Sequence, residues 1–77
     1  MKIMFEYIGL LHIEGVKNHS EIELEDDSTI NDLFNKLKIR DDHKKFISSF
    51  VNGEEKKRFA VLKNNDKVKL FLPTGGG

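Results

Sequence analysis

The sequence predicts an α+β domain in which one main helix packs across one face of a mixed sheet of about four to five strands. Three observations predict it: two strand-like segments open the chain, one helix-like segment follows, and further strand-like segments close it. At 77 residues with 38% hydrophobic side chains, the chain suits one small domain with a modest core. We expect this domain over residues 1–72 and a short glycine-rich, flexible tail over residues 73–77.

An antiparallel hairpin is predicted at the start of the chain. Lys2 to Leu11 is rich in β-branched and aromatic residues, and alternation places Ile3, Phe5 and Tyr7 on one face. The segment Ser20–Glu25 alternates apolar residues with glutamates, as a half-buried strand does. Turn-forming residues lie between the two segments, so we expect the two segments to pair as antiparallel strands.

One helix is predicted after the hairpin. Asp27 and Ser28 are its two N-cap candidates. Apolar residues then recur at the spacing i, i+3, i+4, i+7, which forms one stripe along a helix: Ile30, Leu33, Phe34 and Leu37. The polar stretch Arg40–Lys45 is expected to be a connection.

Two further strands are predicted in the second half. Phe46–Val51 is a short strand that ends at Asn52-Gly53, and Lys67–Leu72 closes the domain. Between them, the charged run Glu54–Arg58 is expected to be a solvated turn or edge, and Asn64–Asp66 a tight turn. Because the helix joins the hairpin to the later strands, the first and last strands can pair in parallel through a right-handed crossover. That arrangement is a β-grasp.

Charge and composition exclude several classes of function. The 13 basic and 13 acidic side chains balance, which argues against a dedicated nucleic-acid binder. Residues 1–42 have a net charge of −5 and residues 43–77 a net charge of +5, a polarity that suits steering toward a partner or simple solubility. No apolar run has the length of a membrane span, and we expect a cytoplasmic protein.

The catalytic inventory is small. The chain has no Cys, and its three histidines, His12, His19 and His43, do not have metal-ligand spacing. The carboxylates between Glu21 and Asp27 alternate along a strand and do not converge, so no metal site is expected. Neither a nucleophile elbow nor a phosphate-binding glycine motif occurs. An enzyme that acts alone is therefore not expected.

The tail Pro73-Thr74-Gly75-Gly76-Gly77 allows two interpretations. Three consecutive glycines have no side chains to bury, so they do not stabilise the fold. The segment is therefore either a frayed terminus or a slim backbone that threads a narrow cleft of another protein. A β-grasp body in front of the tail favours threading.

Four blocks of the sequence, in order, resemble one known group. They are Ile8–Leu11 with Gly15, Ser28–Phe34 with Leu37, Val51–Glu54, and Leu62–Phe71 followed by Pro73 and the glycines. Together they resemble the ubiquitin-like sulfur carriers, typified by the small subunit of molybdopterin synthase and the thiamine sulfur carrier. Asn65-Asp66 stands where many members have Gly-Asp, and Gly75 is an additional glycine. The stretch around Leu72-Pro73 favours the molybdopterin type.

The resemblance implies a function for the tail. An E1-like adenylating enzyme would activate Gly77 with ATP, and sulfur would then replace AMP to leave a C-terminal thiocarboxylate. Gly75 and Gly76 would thread the site of the partner. The sulfur would pass to an acceptor enzyme similar to the large subunit of molybdopterin synthase. No cofactor is expected on this chain, because the partner would bind the ATP.

A docking surface is expected beside the tail. Phe71 and Lys69 share the outer face of the last strand, and Phe50 is expected next to them, with Pro73 following. Alternatively, one or both of these phenylalanines complete a minor core under the loop 54–58. The basic group Lys56, Lys57 and Arg58, together with Lys67 and Lys69, would meet an acidic partner or form a solvated face.

The same residues fit three alternative functions. The leading alternative is a ubiquitin-like modifier whose Gly77 is joined to lysines of other proteins. The second alternative, a sulfur carrier for thiamine, tRNA or cysteine synthesis, is closer to the function that the resemblance implies. The third is a plain interaction domain with incidental glycines.

Overall fold

Five strands and two helices form the part of the chain that the computed structural model describes, residues 1–9 and 19–71. In chain order they are β1 (Lys2–Ile8), β2 (Ser20–Glu23), α1 (Ile30–Lys36), α2 (Asp41–Lys44), β3 (Ser48–Val51), β4 (Glu54–Lys56) and β5 (Lys67–Phe71). The strands form one sheet in the order β2-β1-β5-β3-β4. The predicted tail, residues 73–77, lies outside the described residues.

The centre of the sheet is the parallel pair of β1 and β5. Phe5 lies opposite Val68, and Ile8 lies opposite Phe71. The other neighbours, β2 with β1, β3 with β5 and β4 with β3, are antiparallel. The predicted mixed sheet with parallel first and last strands is confirmed, and both outer strands, β2 and β4, are short.

One face of the sheet is the core and the other is open. In β1, Ile3 and Phe5 are buried, whereas Met4 and Ile8 point to the opposite face and are 44% and 51% exposed. The core is completed by α1 and by apolar residues of the other segments: Ile22, Leu24, Ile30, Leu33, Phe34, Leu37, Val51, Leu62, Val68 and Leu70. The apolar stripe predicted for the helix therefore faces the sheet, and burial of these side chains is the main stabilising contribution.

The N-cap of α1 is Thr29, so the prediction of a cap at Asp27 or Ser28 is wrong. Asp27 occupies a turn with φ of +65°, and the Ser28 hydroxyl donates to the Glu25 carbonyl oxygen at 2.7 Å. The Thr29 hydroxyl accepts from the Asp32 amide at 3.1 Å, and the Asp32 carboxylate accepts from the Thr29 amide at 2.8 Å. These two bonds form a capping box at the start of α1.

Part of the connection predicted at residues 40–45 is helical. The helix α2 is a single turn, too short for an apolar period to appear in the sequence. Its last residue, Lys44, is only 6% exposed. The Lys44 ammonium donates to the side-chain oxygen of Asn35 at the end of α1 and lies 2.7 Å from the Asp41 carboxylate.

Two tight turns use backbone conformations that the sequence anticipates. Asn52 and Gly53, with φ of +54° and +84°, form the two-residue connection between β3 and β4. Asn65 has φ of +69°, which confirms that it adopts the left-handed conformation that glycine would adopt there. The Asn52 side chain donates to Asp66 at 2.9 Å and accepts from the Lys67 amide at 3.0 Å, so it ties the two turns together.

Candidate functional site

The last described residue, Phe71, ends the strand that leads to the tail. It lies between Ile8 of β1 and Ser48 of β3, because β5 pairs with both neighbours. The described part of the chain therefore ends in the central strand of the sheet. The other predicted tail and docking positions lie outside the described residues, and their roles stay predictions: Pro73, Gly75, Gly76 and Gly77.

Three apolar side chains meet on the open face at this end of the sheet, and we call Ile8, Phe50 and Phe71 the apolar patch. The rings of Phe50 and Phe71 contact each other edge to face, with centroids 5.2 Å apart. Phe71 is 40% exposed and Phe50 is half-buried. Ile8 is directly opposite Phe71 in the parallel pair. An exposed cluster of aromatic and aliphatic side chains is typical of a protein-binding surface.

Phe50 is half-buried and is not part of the buried core. The segment predicted as a covering loop, residues 54–58, begins with the strand β4. Glu55 of β4 pairs with Phe50 at the edge of the sheet. The ring of Phe50 lies instead against Phe71 on the open face.

A charged network borders the apolar patch. The Glu6 carboxylate lies 3.1 Å from the Lys69 ammonium through one oxygen and 3.1 Å from Nδ1 of His19 through the other. Lys69 is also opposite Phe50 in the register of β3 and β5. The predicted docking residue Lys69 is therefore held in place by Glu6, a residue that the sequence did not single out, although its alternation with Ile8 places it on the same face.

A shallow depression lies along this open face. Glu6, Lys69 and the two aromatic rings line one part of it, and the connection Asn52-Gly53 lines another. Its apolar side chains would contact the apolar residues of a partner, while Lys69 and Glu6 provide one charge of each sign.

The predicted basic group is divided by the fold. Lys67 and Lys69 belong to β5 and line the depression on the open face. Lys56, Lys57 and Arg58 lie at the β4 edge, where they line a different groove together with Lys44 and Lys45. The two sets lie apart because β3 lies between β4 and β5 in the sheet, and contact of either set with an acidic partner stays a prediction.

The described residues contain no cluster of three or more His, Asp or Glu side chains that could hold a metal ion. His19 lies beside Glu6, His43 is in α2, and His12 is outside the described residues. Among the helices of residues 1–9 and 19–71, none has the length and apolar character to cross a membrane.

Comparisons with known proteins agree with this architecture. The model of the ThiS family matches residues 10–77, which includes the glycine tail. The crystal structure of SAMP1 from Haloferax volcanii superposes with a TM-score of 0.69 over 100% of both chains, and at 19% identity this likeness shows the shared fold. A search among curated protein sequences finds no significant match. Since the family match spans most of the sequence, this chain belongs to the ThiS family of ubiquitin-like sulfur carriers.

Proposed function

We propose that this protein transports sulfur as a thiocarboxylate on Gly77 and delivers it to an acceptor enzyme of molybdopterin biosynthesis. One observation supports it most directly. The apolar patch includes Phe71, the residue that ends β5, so a partner that binds the patch also faces the start of the tail. The family match, which extends through residue 77, supports the same use of the tail.

The chemistry follows from the weakness of a carboxylate as an electrophile. In the proposed first step, a carboxylate oxygen of Gly77 attacks the α-phosphorus of ATP, and pyrophosphate leaves. Hydrosulfide, HS⁻, from the sulfur donor then attacks the acyl carbon, AMP leaves with the bonding electron pair, and the sulfur loses its proton. The product is a thiocarboxylate whose sulfur is nucleophilic. The E1-like adenylating enzyme holds the ATP in this scheme, because this sequence contains no phosphate-binding glycine motif.

The composition of the tail suits this scheme. Six residues follow Phe71, and a fully extended segment of that length spans about 20 Å. A tail extended in the partner site would therefore place the reacting carbon well away from the docking surface. Gly75 and Gly76 add no side chain to the backbone, so a narrow channel can enclose them.

The proposed acceptor is an enzyme similar to the large subunit of molybdopterin synthase. The support for this choice is the sequence around Leu72-Pro73, which resembles the molybdopterin-type carriers. Carriers for thiamine synthesis or tRNA thiolation use the same activation chemistry, so the choice of acceptor is tested separately from the thiocarboxylate itself.

Intact-mass spectrometry tests the thiocarboxylate. The full chain is incubated with ATP, the adenylating enzyme of the same organism and a sulfur donor. We expect a mass increase equal to the difference between sulfur and oxygen, and none when ATP is omitted. A chain that lacks Gly77 is the matched control. Recovery of Gly77 in branched peptides on lysines of other proteins would instead establish a modifier.

The acceptor is tested with the purified thiocarboxylate form. It is mixed with a molybdopterin synthase large subunit and the sulfur-free pterin precursor, and we expect dithiolene formation together with return of the chain to its carboxylate mass. Formation of the thiocarboxylate without any transfer to the pterin would leave the sulfur carrier intact and overturn the choice of acceptor.

A further inference from the structure

A second surface, distinct from the apolar patch, lies at the β4 edge of the sheet. We call it the basic groove, because five cationic side chains line it: Lys44, Lys45, Lys56, Lys57 and Arg58. Glu55 is the one carboxylate among its lining residues. Its lining residues come from the end of α2, from the segment that leads into β3, from β3 itself, and from β4 with the two residues that follow it.

Two of the five cations are already paired. Lys44 is buried, and its ammonium lies 2.7 Å from the Asp41 carboxylate. Lys56 lies 3.5 Å from Glu54 in an exposed pair. Among the described residues, Lys45 and Lys57 have no carboxylate within ion-pair distance. Lys45 follows α2 and Lys57 follows β4, so each of these two segments contributes a groove-lining cation that is available to a ligand.

Exposed aromatic rings accompany the cations. The Lys45 ammonium lies 5.2 Å from the centre of the Phe46 ring, and the Arg58 guanidinium lies 5.0 Å from the centre of the Phe59 ring. The two rings are 60% and 66% exposed. Two of the cations that line the groove therefore have an exposed aromatic ring beside them, which suits a ligand that has both carboxylates and apolar side chains.

The basic groove lies at the same end of the sheet as the start of the tail. Ser48 lines the groove, and it is the residue directly opposite Phe71. Ser49, the next residue of β3, is opposite Lys56 on one side and Leu70 on the other. Two strand spacings, about 10 Å, separate β4 from β5. A protein that binds next to Phe71 is therefore within reach of the basic groove as well.

We propose that the basic groove binds an acidic segment of the E1-like adenylating enzyme that takes up the tail. This segment would be rich in Asp and Glu with interspersed apolar residues. This inference rests on the proposed function for the identity of that enzyme. Charge complementarity favours an acidic protein segment. A nucleic acid fits less well, because the cationic stretch is short and the carboxylates Glu54, Glu55 and Asp41 interrupt it, while a backbone of phosphates requires a continuous basic track.

A titration with a defined probe tests the surface without any partner enzyme. The full chain, labelled with ¹⁵N, is titrated with a short peptide of alternating Glu and Leu and, separately, with an oligouridylate of equal charge. We expect saturable amide shifts within residues 44–49 and 56–59 for the peptide, which weaken at high salt. Peptide shifts centred elsewhere, or tighter binding of the oligouridylate, would overturn the proposal. So would salt-sensitive self-association of the chain in sedimentation experiments, since a second copy would then occupy the groove.

A charge-reversal pair tests the enzyme as the occupant. The variant Lys45→Glu with Lys57→Glu changes two exposed side chains that make no ion pair with the described residues. We expect the KM for the chain in the adenylation reaction to rise roughly tenfold, with kcat changed by less than about twofold. Lys36→Glu with Lys63→Glu is the control of equal charge change, and its KM should stay within about twofold of the parent.

The outcomes separate the two proposals. An unmodified chain that is never adenylated overturns the proposed function, and the peptide titration still decides whether the basic groove binds acidic segments. If the chain is adenylated normally and the charge-reversal pair has the same KM and salt dependence as the parent, the inference about the groove is overturned and the proposed function is retained.

Discussion

Phe50 and Phe71 contact each other edge to face across the outer surface of β3 and β5, with ring centroids 5.2 Å apart and planes inclined by 72°. Phe50 pairs with Lys69 and Phe71 pairs with Ser48, so the two rings are diagonal neighbours in the antiparallel ladder. This contact fixes the orientation of the side chain that ends β5. The body of the domain thereby presents an ordered surface next to the segment proposed to react.

The Phe50–Phe71 contact should contribute measurably to stability. We expect Phe71→Ala to lower the free energy of unfolding by about 1 kcal/mol, and a double-mutant cycle with Phe50→Ala to give a coupling energy of about 1 kcal/mol. Urea denaturation of the four proteins provides the measurement. Phe59→Ala is a suitable control, because this ring is 66% exposed and should cost less than about 0.5 kcal/mol. A coupling energy near zero would show that the rings do not support each other.

The same substitution should weaken recognition by the activating enzyme. Under the proposed function, we expect Phe71→Ala to raise the KM for the chain about tenfold while kcat is retained, because the variant loses part of the proposed docking surface and keeps the reacting carboxylate. Pyrophosphate exchange in the presence of ATP measures both constants. Val61→Ala, which truncates a 56% exposed side chain outside the sheet, should leave both constants unchanged. An equal loss in the two variants would argue against the apolar patch as the docking surface.

Much of the fold follows from local patterns, because the alternation of apolar residues in strands and their spacing in helices indicate which side chains face the core. The pattern of Ile3 and Phe5 in β1 and of Val68 and Leu70 in β5 is such a case, and all four side chains are buried as expected. The capping residue is less certain from sequence, since several neighbouring Asp, Ser and Thr residues can cap a helix. Only the backbone shows that Thr29 is extended and makes the bonds.

The parts of the surface that were not predicted depend on register and on short elements. Glu6 and Lys69 are distant in sequence, and the parallel pairing of β1 with β5 places them opposite each other. Likewise, Lys45 and Lys57 face one groove because β4 folds back on β3 through a two-residue turn and because α2 is a single helical turn. A sequence pattern identifies the face of a residue, but it does not identify the residue across the strand.

The capping box of α1 should have a clear energetic signature. Thr29→Ala removes the hydroxyl that accepts from the Asp32 amide, and we expect a loss of about 1 kcal/mol in unfolding free energy. Thr29→Ser keeps an acceptor at the same position and should recover most of that loss. Thermal unfolding followed by far-ultraviolet circular dichroism is the measurement. If the serine variant were as unstable as the alanine variant, the contribution of Thr29 would come from its methyl group and not from the cap.

The ion pair between Asp41 and Lys44 should give the protein a specific acid sensitivity. The hydrogen bond from the Lys44 ammonium, reinforced by its charge, holds the pKa of the Asp41 carboxyl below its usual range. A carboxyl with a lowered pKa in the folded state stabilises the protein above its unfolded pKa, near 4, and this stabilisation is lost as the pH falls through the lower folded pKa.

The test compares Asp41→Asn with the parent across pH. We expect the variant to be less stable at neutral pH and the difference to disappear as the solution is acidified below about pH 4. Asp42→Asn is the matched control, because it removes the same charge from the next residue of α2. Asp42 pairs with Arg40, and both of these side chains are exposed. A stability difference that persisted unchanged in acid would mean that Asp41 acts through packing or hydrogen bonding that does not require its charge.

The glycines of the tail should differ in their tolerance of a side chain. Under the proposed function, Gly76 is adjacent to the reacting carbonyl and must pass through the narrowest part of the partner site, whereas Gly75 is one residue farther from it. We expect Gly76→Leu to lower kcat/KM for adenylation by about a hundredfold, because a displacement of the acyl carbon by about an ångström has effects of that size. Gly75→Ala should change it by less than about fivefold, since the family pattern requires only the final pair of glycines. Both variants leave the domain surface intact, so their binding to the activating enzyme in the absence of ATP should equal that of the parent. Equal activity of Gly76→Leu and the parent would show that the channel does not enclose this residue, and the reason for three consecutive glycines would then have to be sought outside the activation step.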